Sequence, residues 1–288
     1  MLKYGDKVGI VACSDARTKK EEGTLKELTE ILTGLGLSLV FSCYIFEKRA
    51  VFSGSAEQRA GALNALYKDH DIKAIFDISG GDIANELLAY IDFDLIREDP
   101  KPFFGYSDLT TIVNAIYKKT GNASYLYQVN CLVWENGKTQ TANFKNSLFN
   151  GSNDLYEIKW EFVRGAKVEG IVAGGNIRCF LKLAGTQYMP DLDNKILFLE
   201  SYGGGVAQME TCLCQLKQMG VFDKISGLLL GTFTKMEEKD EHPDMTELVL
   251  NITGDFDFPI AKTREVGHQN TSKCLIIGKK YVISSLES

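Results

Sequence analysis

The first hundred residues alternate short apolar runs with amphipathic segments, and this alternation constrains the fold more than any other feature. KVGIVACS (7–14), LSLVFSCYIF (37–46), IKAIFDIS (72–79) and the run Pro102–Phe104 read as buried strands. Between them, Leu25, Leu28, Leu32 and Leu35 fall at helical spacing, as do Ala60, Leu63, Leu66 and Tyr67 behind Ser55. Continuous apolar strands separated by amphipathic helices predict an α/β unit, a parallel sheet covered on both faces. Such sheets bind ligands beyond the carboxyl ends of their strands.

The fourth strand leads into KPFFGYSDLTTIVNAIYKKTG (101–121), where Gly105 breaks the apolar run. From Leu109 onward, Leu109, Ile112, Val113, Ile116 and Tyr117 form one helical face, and Gly121 closes the helix behind Lys118 and Lys119. Ser107 therefore sits on a sharp strand-to-helix turn, beside N–H groups that the helix leaves unpaired. There it is either an N-cap or an exposed nucleophile. The third strand ends in Ser79-Gly80-Gly81-Asp82, which is either a plain tight turn or a cradle presenting N–H groups to an anion or oxyanion. Neither G-x-G-x-x-G nor G-x-x-x-x-G-K-[ST] occurs, so a nucleotide-dependent oxidoreductase lacks its fingerprint and no cofactor is expected.

Between Trp134 and Asp154 the composition turns to Asn, Gly, Ser, Thr and Lys without periodicity, which predicts a linker. The expected organisation is an α/β domain over 1–134, a linker region over 135–160 and a β-rich domain over 161–288. In the last of these, LYEIKWEFV, KVEGIVAGGNI, KILFLE and GLLLGTF read as strands, and Val206, Met209, Leu213 and Leu216 as a helix face. KMEEKDEHPD (235–244) reads as a surface loop and CLIIGKKYVIS (274–284) as a hairpin.

The 288 residues carry a net charge of −6, which argues against sequence-independent nucleic-acid binding. No run approaches a membrane span, and the N-terminal MLKYGDKVGIVACSD lacks the apolar core of a signal peptide. The seven cysteines are scattered and set mostly in apolar runs, as expected of reduced thiols in a cytoplasmic protein. With no C-x-x-C pair, no metal site is expected.

A serine nucleophile needs a base, and the chain has three histidines. His70 and His242 lie in polar surroundings and read as solvated. His268 follows Gly267 near the end of the chain, and is either structural or a presented base. Glu200 ends the apolar run Ile196–Leu199 before Ser-Tyr-Gly-Gly-Gly; it is a strand boundary or the carboxylate that orients an imidazole. The order Ser, Glu, His matches α/β-hydrolases, but their elbow needs glycine where Leu109 stands, so that fold is disfavoured.

These residues carry a resemblance. SGGD (79–82), FGYSDLT (104–110), AGGNI (173–177), ILFLES (196–201), KQMGVFDKISGLLLGTF (217–233) and VGH (266–268) resemble, in order, the LD-carboxypeptidase family of serine peptidases, which includes the microcin C self-immunity proteins. The resemblance implies an N-terminal α/β domain carrying the nucleophile Ser107 and a β-rich C-terminal domain carrying Glu200 and His268. It further implies an oxyanion hole formed by the N–H groups of Gly81 and Asp108, and a homodimer. Many peptidoglycan-cleaving members carry Arg where Ser79 stands and Glu-Asp where Glu200-Ser201 stands. NASYLYQVN (122–130) also departs from the family path. The expected function is a serine hydrolase that releases a terminal D-amino acid from muropeptides. Its rivals are an immunity-type hydrolase of aminoacyl or peptidyl nucleotides, toward which Ser79 tilts the balance, and a catalytically silent binding protein on the same scaffold.

Overall fold

The structure is a computed structural model that describes residues 1–285. Its strands are β1 (Lys7–Val11), β2 (Ser38–Phe41), β3 (Ile72–Asp77), β4 (Phe103–Gly105), β5 (Ser124–Leu126), β6 (Glu161–Arg164), β7 (Lys167–Asn176), β8 (Lys195–Ser201), β9 (Gly227–Phe233), β10 (Ile260–Lys262), β11 (Leu275–Ile277) and β12 (Lys280–Ser284). The α-helices are α1 (Glu22–Gly34), α2 (Ala56–Lys68), α3 (Phe93–Glu98), α4 (Thr110–Thr120), α5 (Gly137–Asn150), α6 (Ile177–Leu181), α7 (Val206–Gln218), α8 (Thr234–Glu238) and α9 (Met245–Ile252).

The first sheet has the order β11-β5-β4-β3-β1-β2, parallel except for β11. The expected parallel α/β unit is present, and α4 ends as its sequence predicts, with Gly121 at φ 76° donating its N–H to Tyr117 O. The second sheet has the order β12-β7-β8-β9-β10-β6, its four inner strands parallel and both edges antiparallel. Helices α6 to α9 accompany it, so the second half is a mixed sheet with helices of its own.

Two expectations need correction. The stretch expected as a linker over 135–160 contains α5, whose Phe144 is fully buried, its ring centroid 5.7 Å from that of Phe76 in β3. The helix escapes a periodicity search because part of its inner face is polar. Gln140 accepts from Tyr127 Oη and donates to Ser272 O, while Ser147 Oγ accepts from Leu155 N. Buried amide and hydroxyl groups thus stand where apolar residues would have marked the face. The expected terminal hairpin is also not one. β11 pairs with β5 in the first sheet and β12 with β7 in the second, with Gly278 at φ 85° turning the chain between them. Residues 275–284 therefore stitch the two sheets together, and the region expected to belong wholly to the second domain returns one strand to the first.

Helix α4 lies at the junction. Asn114 Nδ2 donates to Gly174 O at 2.8 Å, Asn114 Oδ1 accepts from Gly174 N at 2.9 Å, and Thr110 Oγ1 accepts from Asn176 N at 3.0 Å. Gly175, at φ 139°, passes so near α4 that a methyl group there would lie 2.6 Å from Thr110 Oγ1. This gives the AGGN segment a packing reason. One apolar cluster runs through this contact, joining Ile112, Val113 and Ile116 of α4 to Val172, Phe180 and Leu197 of the second half.

Because α5 belongs to the first core, Phe144→Ala is expected to destabilise the protein by about 3–5 kcal/mol, the usual cost of deleting a buried aromatic ring. Equilibrium denaturation in urea measures this, and a loss below about 1 kcal/mol is the outcome a loose linker would give.

Candidate active site

Ser107 begins a short 3-10 turn, Ser107–Leu109, between β4 and α4, and adopts φ 57°. A left-handed conformation costs a non-glycine residue on the order of 1–2 kcal/mol. It also rules out the N-cap reading, because a cap residue is extended. The cap position of this turn is Tyr106, at φ −143° and ψ 170°, with no side-chain cap bond. Gly105 permits the turn, since a methyl group on it would lie 2.7 Å from Leu109 Cβ. Leu109, standing where a hydrolase elbow would have its second glycine, closes over Gly105 instead.

The glycine pair flanks this serine, a methyl group built on Gly80 lying 3.9 Å from Ser107 Cβ. Gly81 has φ 125°, which only glycine adopts freely, and its N–H donates to no acceptor among the described residues. The preceding residues are pinned by buried Asp77. Its Oδ2 accepts from Cys13 N, and its Oδ1 accepts from both Ser79 N and Ser79 Oγ. Ser79 Oγ in turn accepts from Ser14 N. Burial pushes the Asp77 carboxyl upward, against the Ser79 and Cys13 donors that hold it down.

Asp108 was singled out for its N–H, yet its side chain is also committed. Fully buried, it accepts from Ser14 Oγ at 2.6 Å and Ala84 N at 2.7 Å on Oδ2, and from Lys182 Nζ at 2.6 Å on Oδ1. The lysine is raised in pKa despite a desolvation cost, because Asp108 hydrogen-bonds and attracts its charge.

Glu200 and His268 come from the second half. Glu200 is fully buried in β8, where a register shift against β9 re-aims the strand. Gly231 on β9 lets the strands and the 266–268 loop meet, because a methyl group there would lie 3.0 Å from Glu200 Cβ and 2.4 Å from Val266 O. Gly267 has the same necessity, with Thr232 Oγ1 only 1.6 Å from where its Cβ would be. His268 Nδ1 lies 2.7 Å from Glu200 Oε2. A carboxylate only accepts, so Nδ1 carries the proton of this contact, and in the neutral imidazole Nε2 is then the lone-pair nitrogen. Nε2 is buried without a protein partner. The imidazole is packed edge-on against Tyr106, centroids 4.9 Å apart, and tilted against Tyr202 at 5.3 Å.

Ser107, Gly80 and His268 line one cavity of about 520 Å³. The structure thus brings Ser107 and His268 to one hollow, pairs His268 with Glu200, and sets Gly81 and Asp108 beside the serine. His70 and His242 are exposed and pair with Asp99 and Glu247 instead. Sequence reasoning missed the remaining wall: Asp15, Arg17, Gln128, Asn130, Trp134 and Tyr202 among others. Most stand on loops, and Asn130 in the short 3-10 turn Val129–Val133, with no periodicity to reveal them. Their one shared signal is position after a strand's carboxyl end. Among the described residues no group of three or more His, Cys, Asp and Glu side chains could hold a metal ion, and no helix is long and apolar enough to cross a membrane.

A cleft fed by the strand ends of two such sheets, lined by a serine and by a histidine paired with a buried carboxylate, is the frame of a hydrolytic enzyme. The chain is a member of the LD-carboxypeptidase family, whose N-terminal domain matches residues 8–127 and whose C-terminal domain matches residues 169–283. The microcin C7 self-immunity protein MccF of Escherichia coli is 26% identical over 98% of this chain and 91% of its own. Its structure in complex with glutamyl sulfamoyl guanosine superposes with a TM-score of 0.86 at 25% identity, covering 98% of this chain and 94% of that one. An MccF-like protein of Bacillus anthracis gives a TM-score of 0.86 at 29% identity, covering 100% and 96%. The murein tetrapeptide carboxypeptidase of Pseudomonas aeruginosa is 23% identical over 96% of this chain and 92% of its own.

Lys182 compensates a buried charge, so Lys182→Met is expected to leave Asp108 uncompensated and lower stability by about 2–4 kcal/mol. Urea denaturation reads this directly. An unchanged midpoint would mean that the pair contributes nothing to holding the turn.

Proposed function

We propose that this enzyme is a serine hydrolase in which Ser107, His268 and Glu200 act as a triad, cleaving the bond before a terminal D-amino acid in a muropeptide. The observation that carries this reading is the state of His268: one ring nitrogen is engaged by buried Glu200, the other is buried without a partner, and the residue lines one cavity with Ser107. In the proposed cycle Nε2 takes the Ser107 proton as Oγ attacks the scissile carbonyl. Glu200 stabilises the imidazolium, and the N–H groups of Gly81 and Asp108 receive the oxyanion. The imidazolium then protonates the leaving amine, which departs and leaves an acyl-serine. Water, deprotonated by His268, hydrolyses that ester and restores the hydroxyl. Residue 79 supports a second reading. Ser79, where many peptidoglycan-cleaving relatives carry arginine, favours a substrate in which an aminoacyl or peptidyl group is linked to a nucleotide, as in the ligands named for MccF. We take the enzyme to work in the cytoplasm as a homodimer. The first part is supported by the free, buried thiols of Cys13, Cys131 and Cys274, of which burial pushes Cys131 to about 12. The second follows from family resemblance.

Two measurements test this. A fluorophosphonate probe is expected to label the wild type and not Ser107→Ala; equal labelling of both would exclude Ser107 as nucleophile. With a D-alanine-terminated tetrapeptide and an aminoacyl-sulfamoyl adenosine assayed side by side by mass spectrometry, loss of Ser107 or His268 should cost on the order of 10⁴-fold or more in kcat. Whichever substrate turns over decides between the two readings.

A further inference from the structure

We propose that Asp15 is a specificity residue that binds a protonated amine of the substrate close to the scissile carbonyl, an assignment that rests on the hydrolase reading above. The argument begins with the charges on the cavity wall. Arg17 is the only lysine or arginine among the described residues that line it, and its charge is already spent. Its Nη1 donates to Glu21 Oε1 at 2.5 Å, and its Nη2 donates to Ile78 O. Glu21 is committed in return. Burial pushes its carboxyl up, but the Thr18 N–H and hydroxyl and the Arg17 guanidinium outweigh this and hold it below its usual value. Glu21 and Arg17 therefore cancel as a closed pair.

Asp15 has no such partner. Its Oδ1 accepts one neutral hydrogen bond, from Asp82 N at 2.9 Å, and no cation pairs with it among the described residues. It is nevertheless held in place. Asp15 N donates to Gly80 O at 3.0 Å, and the carboxylate lies flat over Gly81, whose added methyl group would meet Asp15 Cγ at 2.0 Å. The glycine at 81 thus serves two purposes, left-handed backbone and room for this carboxylate. The result is an uncompensated negative charge, fixed on the wall of the cavity and against the loop that would receive the oxyanion. A negative charge there opposes the oxyanion unless a substrate cation neutralises it, so the site works best when the substrate brings its own positive group. The group that fits is a primary ammonium, three donors on a compact charge, able to reach the free Asp15 oxygen. A substrate carboxylate at the same point would meet Asp15 repulsion and find Arg17 already engaged.

Such an amine has two sources, the α-ammonium of an aminoacyl nucleotide or the side-chain ammonium of a diamino acid in a muropeptide. Both are tested by calorimetry on the full chain carrying Ser107→Ala, alone and with Asp15→Asn. Asparagine keeps the oxygen that accepts from Asp82 N while removing the charge. The ligands are aspartyl-sulfamoyl adenosine and the tetrapeptide Ala-D-Glu-Lys-D-Ala, each beside an analogue with hydrogen in place of that amine. One amine-bearing ligand is expected to bind about ten- to a hundredfold more tightly than its analogue, the range of a charge-assisted hydrogen bond, and Asp15→Asn should collapse the difference. Which pair shows the effect identifies the source. The assignment is overturned if neither ligand gains from its amine, or if the gain survives Asp15→Asn. Fluorophosphonate labelling of the wild type separately reports the hydrolase reading, so failure of one is not mistaken for failure of the other.

Discussion

The buried carboxylate of Asp108 holds three distant segments to one point. Its donors are Ser14 after β1, Ala84 after the glycine pair and Lys182 beyond α6 in the second half. A buried ion pair adds little net stability over an apolar alternative, because desolvating both charges offsets their attraction. What it provides is definition. The residue next to Ser107 cannot move without stranding a charge, and neither can the loops that meet it. The hub also links the halves, since Lys182 is 74 residues away in sequence. A second linkage, from Asn114 and Thr110 of α4 to the Gly174–Asn176 backbone, fixes the same helix to the other sheet. The floor of the cavity is therefore braced from both sides, and His268 of the second half and Ser107 of the first line it together.

This bracing explains which features could be read from the chain. Strands buried on both faces, such as β3 and β9, announce themselves because burial demands a continuous apolar run. Helix α4 does so because its face repeats at helical spacing. The glycines at 81 and 121 were legible as sites of backbone freedom, whereas the need for Gly267, Thr232 pressed against it, was not. Ser107, Glu200 and His268 could each be noticed locally, but each had an ordinary local explanation as well. Family resemblance put them in one order, and packing within the second half put Glu200 against His268. The rest was hidden because it is made by long-range polar pairing. Helix α5 faces the core with Gln140 and Ser147, which look like surface residues until Tyr127, Ser272 and Leu155 meet them. β11 and β12 look like one hairpin because both are short and apolar, and only their partners, β5 and β7, separate them.

The left-handed backbone at Ser107 follows from the same economy. A serine at φ 57° is less stable than its extended alternative, so it persists only because the surroundings over-determine it. Gly105 and Leu109 close the turn from one side, and the Asp108 carboxylate anchors it from the other. Tyr106, buried between them with its ring against His268, makes the position of the imidazole depend on the position of the strand end. An elbow of the α/β-hydrolase kind relieves crowding with a second glycine. Here a leucine fills that space, so the first glycine alone must admit it. The strain at the serine and the bracing around it are then one design: a residue is held in a conformation the chain would otherwise leave, and the strand end that carries it also packs Tyr106 against the imidazole of the other half.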